Sequence, residues 1–106
     1  MPPGKLVLLL NYSRASKLLR EVAQVSGRVY FSPHARKRMS QRGITDTQVL
    51  RCLRQGRFVE GPARSVKGNW QATMEHVSAG DVIRVVAAID HDGQGGFIVV
   101  ITVYWT

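Results

Sequence analysis

Three scarcities in this sequence narrow what the chain can be. Cysteine occurs once, at Cys52. An intramolecular disulfide is therefore excluded, one thiol cannot build a cysteine-based zinc site, and a reduced, cytoplasmic compartment is the simpler expectation. Acidic residues are few, seven Asp plus Glu against fifteen Lys plus Arg, which leaves a net charge of +8. Long apolar runs are missing as well. The stretch "KLVLLL" at 5–10 is cut off by Asn11 and Tyr12, too short for the apolar core of a signal peptide and far short of a membrane span. No membrane partner is expected.

Metal-ligand spacing is also lacking. His34, His76, His91 and Cys52 form neither an HxxxH nor a CxxC pattern. Gly93, Gly95 and Gly96 join two strand-like runs instead of opening a helix, so they do not read as a phosphate-cradling loop. The sequence thus calls for no metal and no cofactor. Cys52 itself, in an apolar stripe, reads as a small core residue and not as a nucleophile.

What is present is enough for one compact domain. A chain of 106 residues with 44% hydrophobic side chains buries roughly two-thirds of its unfolded surface on folding. The positive excess, nearly all of it at or before Lys67, makes polyanions the natural partners, nucleic acid first. Charge by itself names no site.

Periodicity orders the elements. Leu18, Leu19, Val22 and Val25 recur at helical spacing within 13–25, with Ser13 as cap and "SG" at 26–27 as stop. "RVYF" at 28–31 suits a strand. Ser32 then caps a helix that has Pro33 in its first turn and ends at Gly43. "TDTQ" at 45–48 is a capping box for a second helix that ends near Gly56 and buries Val49, Leu50 and Leu53. "RFVEGP" at 57–62 reads as a short strand closed by a turn, and "ARSVKG" as a loop. "NWQATMEHVS", "DVIRVVAAID" and "GFIVVITVYW" are three long β-rich runs forming a meander. The expected fold class is α+β: an N-terminal helix, then β-α-α, then a four-stranded, mostly antiparallel sheet with helices on one face.

The basic stretch "SPHARKRMSQRGIT" at 32–45 raises the functional question. Residues four apart on a helix share a ridge, so His34, Arg38 and Arg42 line up beside a buried ridge of Ala35 and Met39, with Ile44 beyond. A helix N-terminus and Arg38 both disfavour an imidazolium at His34, and an uncharged imidazole is what a general base requires. The Arg pair offers N–H donors to a phosphate. The plainer alternative is a solvated basic face with a capping His.

Strand alternation places Trp70, Ala72, Met74 and His76 on one side, with Gln71, Thr73, Glu75 and Val77 on the other. Ile83, Val85, Ala87 and Ile89 read as buried, and Arg84 interrupts the opposite face. In the last strand Phe97, Val99, Ile101, Val103 and Trp105 face one way, and Ile98, Val100, Thr102 and Tyr104 the other. A mixed face bearing Gln71, Glu75, Arg84, Thr102 and Tyr104 near the His34 ridge suits phosphodiester cleavage without metal. His34 takes the ribose 2′-hydroxyl proton, with Glu75 as a second candidate base. Arg38, Arg42 and Arg84 stabilise the phosphorane, and Tyr104 protonates the leaving 5′-oxygen. The plainer reading of Arg84 is an edge-strand charge against aggregation, and that of Thr102 and Tyr104 is β propensity.

"HARKRMSQRGIT" resembles the H-A-x-x-R-M-x-x-R-G-I signature of a family of small bacterial domains of unknown function, and "ITVYW" at 101–105 is similar to that family's closing strand. The likeness runs from about residue 29 to 105. Such domains resemble RelE-like toxins and the wider barnase, endoribonuclease-U and colicin group. The resemblance implies a RelE-like core over 28–106 behind a helical extension at 1–27, metal-independent RNA cleavage on free or ribosome-bound message, and a protein inhibitor, or antitoxin, that covers the site. His34, Arg38, Arg42, Thr102 and Tyr104 match motif positions; Arg84 and Glu75 enter through strand geometry. Two other functions compete. "RMSQRGITDTQVLRCL" reads as a helix-turn-helix whose second helix offers Arg51, Arg54 and Gln55 to a DNA groove, and a non-catalytic RNA- or protein-binding module is the third reading.

Overall fold

The computed structural model describes residues 11–91, 93 and 95–106; the "KLVLLL" stretch and part of the "HDGQGG" turn lie outside them. Element order is helix α1 (Tyr12–Ala23), a 3-10 turn (Ser26–Arg28), strand β1 (Val29–Phe31), helices α2 (Pro33–Arg42) and α3 (Asp46–Gln55), and strands β2 (Arg57–Arg64), β3 (Trp70–Ser78), β4 (Asp81–His91) and β5 (Gly96–Trp105). The fold is α+β with one five-stranded sheet in the order β1-β5-β4-β3-β2. Four strands form the expected antiparallel meander. The short "VYF" segment joins them as a fifth strand, parallel to β5 through Val29–Ile98, Tyr30–Val99 and Phe31–Val100.

Local chemistry sets the helix ends. Asn11, not Ser13, caps α1 by accepting the Arg14 N–H at 2.9 Å. The Ser32 hydroxyl accepts the Ala35 N–H at 3.0 Å with Pro33 in the first turn, and Gly43 closes α2 at φ +67°, a left-handed conformation that costs glycine little. Thr45 and Gln48 complete the reciprocal capping box of α3. The strand after α3 runs two residues longer than its sequence suggests. Gly61, at φ +71°, and Pro62 sit inside β2 at bulges, because the antiparallel ladder resumes at Ala63–Gln71 and Arg64–Trp70.

One core lies between the helices and one face of the sheet. Ala15, Leu19, Val22 and Ala23 of α1, Ala35 and Met39 of α2, and Val49, Cys52 and Leu53 of α3 pack against Met74, Ile83, Val85, Ile98, Val100 and Val103. Leu50, expected in that stripe, only flanks it. Each fully buried Leu, Ile or Val contributes roughly 1.5–3 kcal/mol relative to exposure. The strict alternation expected of β5 breaks at Ile101: Val86 pairs with Thr102 while the next residue, Ala87, pairs with Val100. Ile101 is the extra residue of a bulge. Ile98 and Val100 before it, and Val103 after it, therefore all point into the core.

Helix α2 does a different job. Strand β1 pairs β5 only as far as Val100, and α2 finishes the edge beyond. The Ser32 N–H donates to Val100 O (3.0 Å), the Ser32 hydroxyl to Ile101 O (3.1 Å), the Arg42 guanidinium to Val103 O (2.6 Å), and the Trp105 indole N–H to Arg42 O (2.8 Å). Among the described residues, no helix is long and apolar enough to cross a membrane.

Candidate functional site

All three described helices lie on the Met74–Val85–Val103 side, so the opposite sheet face carries no described helix. Register decides what stands there. Arg57, Glu75, Arg84 and Tyr104 are cross-strand neighbours on β2, β3, β4 and β5 in turn, and the next row holds Thr73, Val86 and Thr102. The bulge at Ile101 keeps Thr102 and Tyr104 on this face while sending Val103 to the core.

Glu75 organises the first row. One carboxylate oxygen accepts from Arg57 (Nη2 at 2.7 Å, Nε at 3.1 Å) and the other from Arg84 Nε at 2.8 Å. The bond from Arg84, and then that from Arg57, holds the Glu75 carboxyl below its ordinary range. Glu75 is consequently a weak base that fixes two guanidinium groups. Arg84 is stabilised as a cation first by Glu75 and then by Tyr104. Tyr104 is its cross-strand neighbour on β5, and because a guanidinium has no acceptor atom the phenol O–H cannot be donated to it. Arg57 is the member that sequence reasoning missed. Only cross-strand register brings it to Glu75, and no spacing along the chain encodes that register.

The basic ridge meets this row partway. Arg42 reaches Val103 O at 2.6 Å, one residue along the backbone from both Thr102 and Tyr104, so its guanidinium stands at the rim of the open face. Arg38 is half-buried and donates to Gln41 Oε1 at 2.9 Å. His34 is exposed in the first turn of α2. No hydrogen bond or ion pair joins His34 or Arg38 to Arg84 or Tyr104 among the described residues. Arg36, on the other flank of α2, stacks 4.0 Å above the Phe31 ring and pairs with Asp46. Cys52 is fully buried, and that burial pushes its thiol up to about 12; it offers no thiolate near neutrality. No three His, Cys, Asp or Glu side chains cluster as a metal cage among the described residues.

The model of a domain of unknown function, DUF4258, matches residues 31–105. The chain belongs to that family. The DUF4258 segment begins at Phe31 and so contains α2, α3, β2, β3, β4 and β5, together with each member of the Arg57–Glu75–Arg84–Tyr104 row. Helix α1 precedes it yet shares its core through Leu19 and Ala23. The Arg20 guanidinium also bonds Arg54 O (3.1 Å) and Gly56 O (2.7 Å). A search of curated proteins and a search of solved structures return no match.

Proposed function

We propose that this DUF4258 protein binds single-stranded RNA on the open face of its sheet and cleaves it without metal, by attack of the ribose 2′-hydroxyl on the adjacent phosphorus. The observation that carries the reading is Arg84, bonded to Glu75 and standing opposite Tyr104 on a sheet face flanked by the basic helix α2. A guanidinium oriented in advance stabilises the charge that develops on a phosphorane at little reorganisation cost. The phenol of Tyr104, opposite Arg84 in the register, suits protonation of the leaving 5′-oxygen. Arg38 and Arg42 supply further positive charge at the rim, Thr102 lines the next row, and exposed His34 is the base that accepts the 2′-hydroxyl proton. Glu75, being doubly paired, serves to orient. RNA, free or on the ribosome, is the partner, and a protein inhibitor of RelE-like systems would act by covering this face.

The DNA-reading alternative draws less support. Val49 and Leu53 are buried, Leu50 flanks the core, and Arg54 spends its Nε on Ala23 O at 2.6 Å. That leaves Arg51 and Gln55 to read bases, few for a recognition helix.

The test is incubation of the purified protein with single-stranded RNA in excess chelator. Cleavage that leaves 2′,3′-cyclic phosphate ends is expected. His34→Ala and Tyr104→Phe should each lower the rate about 10²–10⁴-fold, as loss of a general base or acid does. Retained RNA affinity with no turnover by the native protein would reduce the reading to a binding module. Full activity in the variant lacking His34, Arg38 and Tyr104 together would reject the site.

A further inference from the structure

A second feature of the open face lies away from the Arg84 row. Tyr30 of β1 and Phe97 of β5 meet edge to face, with ring centroids 5.9 Å apart and planes at 84°. Tyr30 is 51% exposed, so half of its surface is open to solvent. Beside this pair is a hollow of about 360 Å³ lined by Phe97, Val99, Ile101, Ala88 and the polar Gln71, Asn69, Lys67 and Asp90. That volume falls within the range of small-molecule sites. Bulged Ile101 forms one wall. Gln71 and Glu75 lie four residues apart on β3, so the hollow stands roughly 13 Å from the Arg84 row along the same face, at about 3.3 Å per strand residue.

Resting on the RNA reading above, we infer that this hollow is a nucleobase subsite, in which a base of the bound strand stacks on the Tyr30–Phe97 pair while a neighbouring phosphate lies at Arg84. Three properties of the lining select a base. Half of its lining is apolar and includes the Phe97 ring, which suits the face of a heterocycle. Asp90 places a carboxylate at the hollow and repels a phosphate, yet accepts N–H donors from a base edge. Gln71 and Asn69 add amide donors and acceptors for such an edge. Lys67 keeps a cation near the backbone of a strand that passes over. Aromatic platforms beside cationic grooves are how proteins hold unpaired strands, and the net charge of +8 favours a polyanion over an apolar peptide for the same hollow.

The full chain is titrated, by fluorescence anisotropy, with a short labelled 2′-O-methyl RNA, whose blocked 2′-oxygens prevent cleavage, and with an abasic oligomer of equal length and charge. The base-bearing strand should bind more tightly, roughly 5- to 150-fold for one stacked base. Tyr30→Ala should remove that advantage without changing affinity for the abasic strand, and Tyr30→Trp should restore it. Tyr30 is half-exposed, so its variants should keep the native circular dichroism spectrum, which is recorded as a control. Equal affinity for the two strands, or a Tyr30→Ala variant indistinguishable from the native chain while Arg84→Ala weakens binding, overturns the subsite and leaves the RNA face standing. Failure of the native chain to bind either strand overturns both.

Discussion

Removing Arg84 should change how RNA binding responds to salt, by an amount that follows from the charges on the open face. Arg38, Arg42, Arg57, Arg84 and Lys67 stand on or beside that face with Glu75 and Asp90 among them, leaving about three net positive charges available to phosphates. For single strands the slope of log affinity against log salt is roughly −0.7 per phosphate neutralised, so the native slope should be about −2. Between 50 and 200 mM salt, affinity should then fall about 20-fold. Arg84→Ala removes one charge while Glu75 keeps Arg57, and the slope should shrink to about −1.4, a fall of about 7-fold over the same range.

The control lies on the other side of the molecule. Arg51 is an exposed cation on α3, within the helical layer. Arg51→Gln alters the net charge as much as Arg84→Ala does, so a response set only by overall charge would move both slopes alike. Expected instead is an unchanged slope for the Arg51 variant, measured by anisotropy with the non-cleavable RNA. A slope that falls for Arg51→Gln and holds for Arg84→Ala would place the nucleic acid against α3 and refute the assignment of the sheet face.

Three further outcomes test the structure beneath the site. A Cβ at Gly56 would sit 2.5 Å from Cys52 O and 2.6 Å from Glu75 O, both backbone atoms; Gly56→Ala should cost about 1–3 kcal/mol, a drop in Tm on the order of 5–20 °C by thermal melting. An unchanged Tm would show that the α3–β3 junction is looser than drawn. Because its two arginines depress the Glu75 carboxyl, its stabilising contribution is present above the ordinary carboxylate pKa and fades as pH falls through the depressed value. The Tm gap between native protein and Glu75→Gln should therefore be widest above about pH 5 and narrow as the pH falls below the ordinary carboxylate range, and a gap constant with pH would refute a stabilising role for the ion pairs. Finally, the Cys52 thiol, pushed up to about 12, should resist thiol reagents at about pH 8 until denaturant is added; rapid stoichiometric labelling of the native chain would contradict its burial.

Much of the architecture was legible because it is written in local chemistry. The α2 and α3 boundaries follow from Ser32, Pro33, Gly43 and the Thr45–Gln48 box, each of which acts within four residues of itself. Misreadings arose where a partner distant in sequence decides. Gly61 and Pro62 look like a turn, yet β3 continues the ladder past them. "VYF" is too short to reveal that it completes the sheet beside β5. The candidate site divides in the same way. Arg84, Glu75 and Tyr104 were placed on one face by alternation, whereas the ion pairs that recast Glu75 from base to clamp depend on Arg57, eighteen residues away on a neighbouring strand.

The bulge at Ile101 shows why pattern alone leaves the site underdetermined. Were all ten residues of β5 to alternate without a bulge, a phase that puts Ile98 and Val100 in the core would also put Thr102 and Tyr104 there, and a phase that exposes Tyr104 would expose Ile98 and Val100 with it. Either way the sheet loses core packing or its polar row. The inserted residue lets "FIVV" and "TVY" take opposite phases, so that Phe97 and Val99 before the break, and Thr102 and Tyr104 after it, share the open face. The same kink turns Ile101 toward the hollow beside Phe97. Deleting Ile101 makes Val100 and Thr102 consecutive, so Val100 and Val103 should stay in the core and Tyr104 opposite Arg84, while the hollow loses one wall. The deletion variant should therefore keep RNA cleavage while losing the preference for a base-bearing strand, and a variant that folds yet no longer cleaves would show that the polar row depends on the bulge itself and not on the phase it sets.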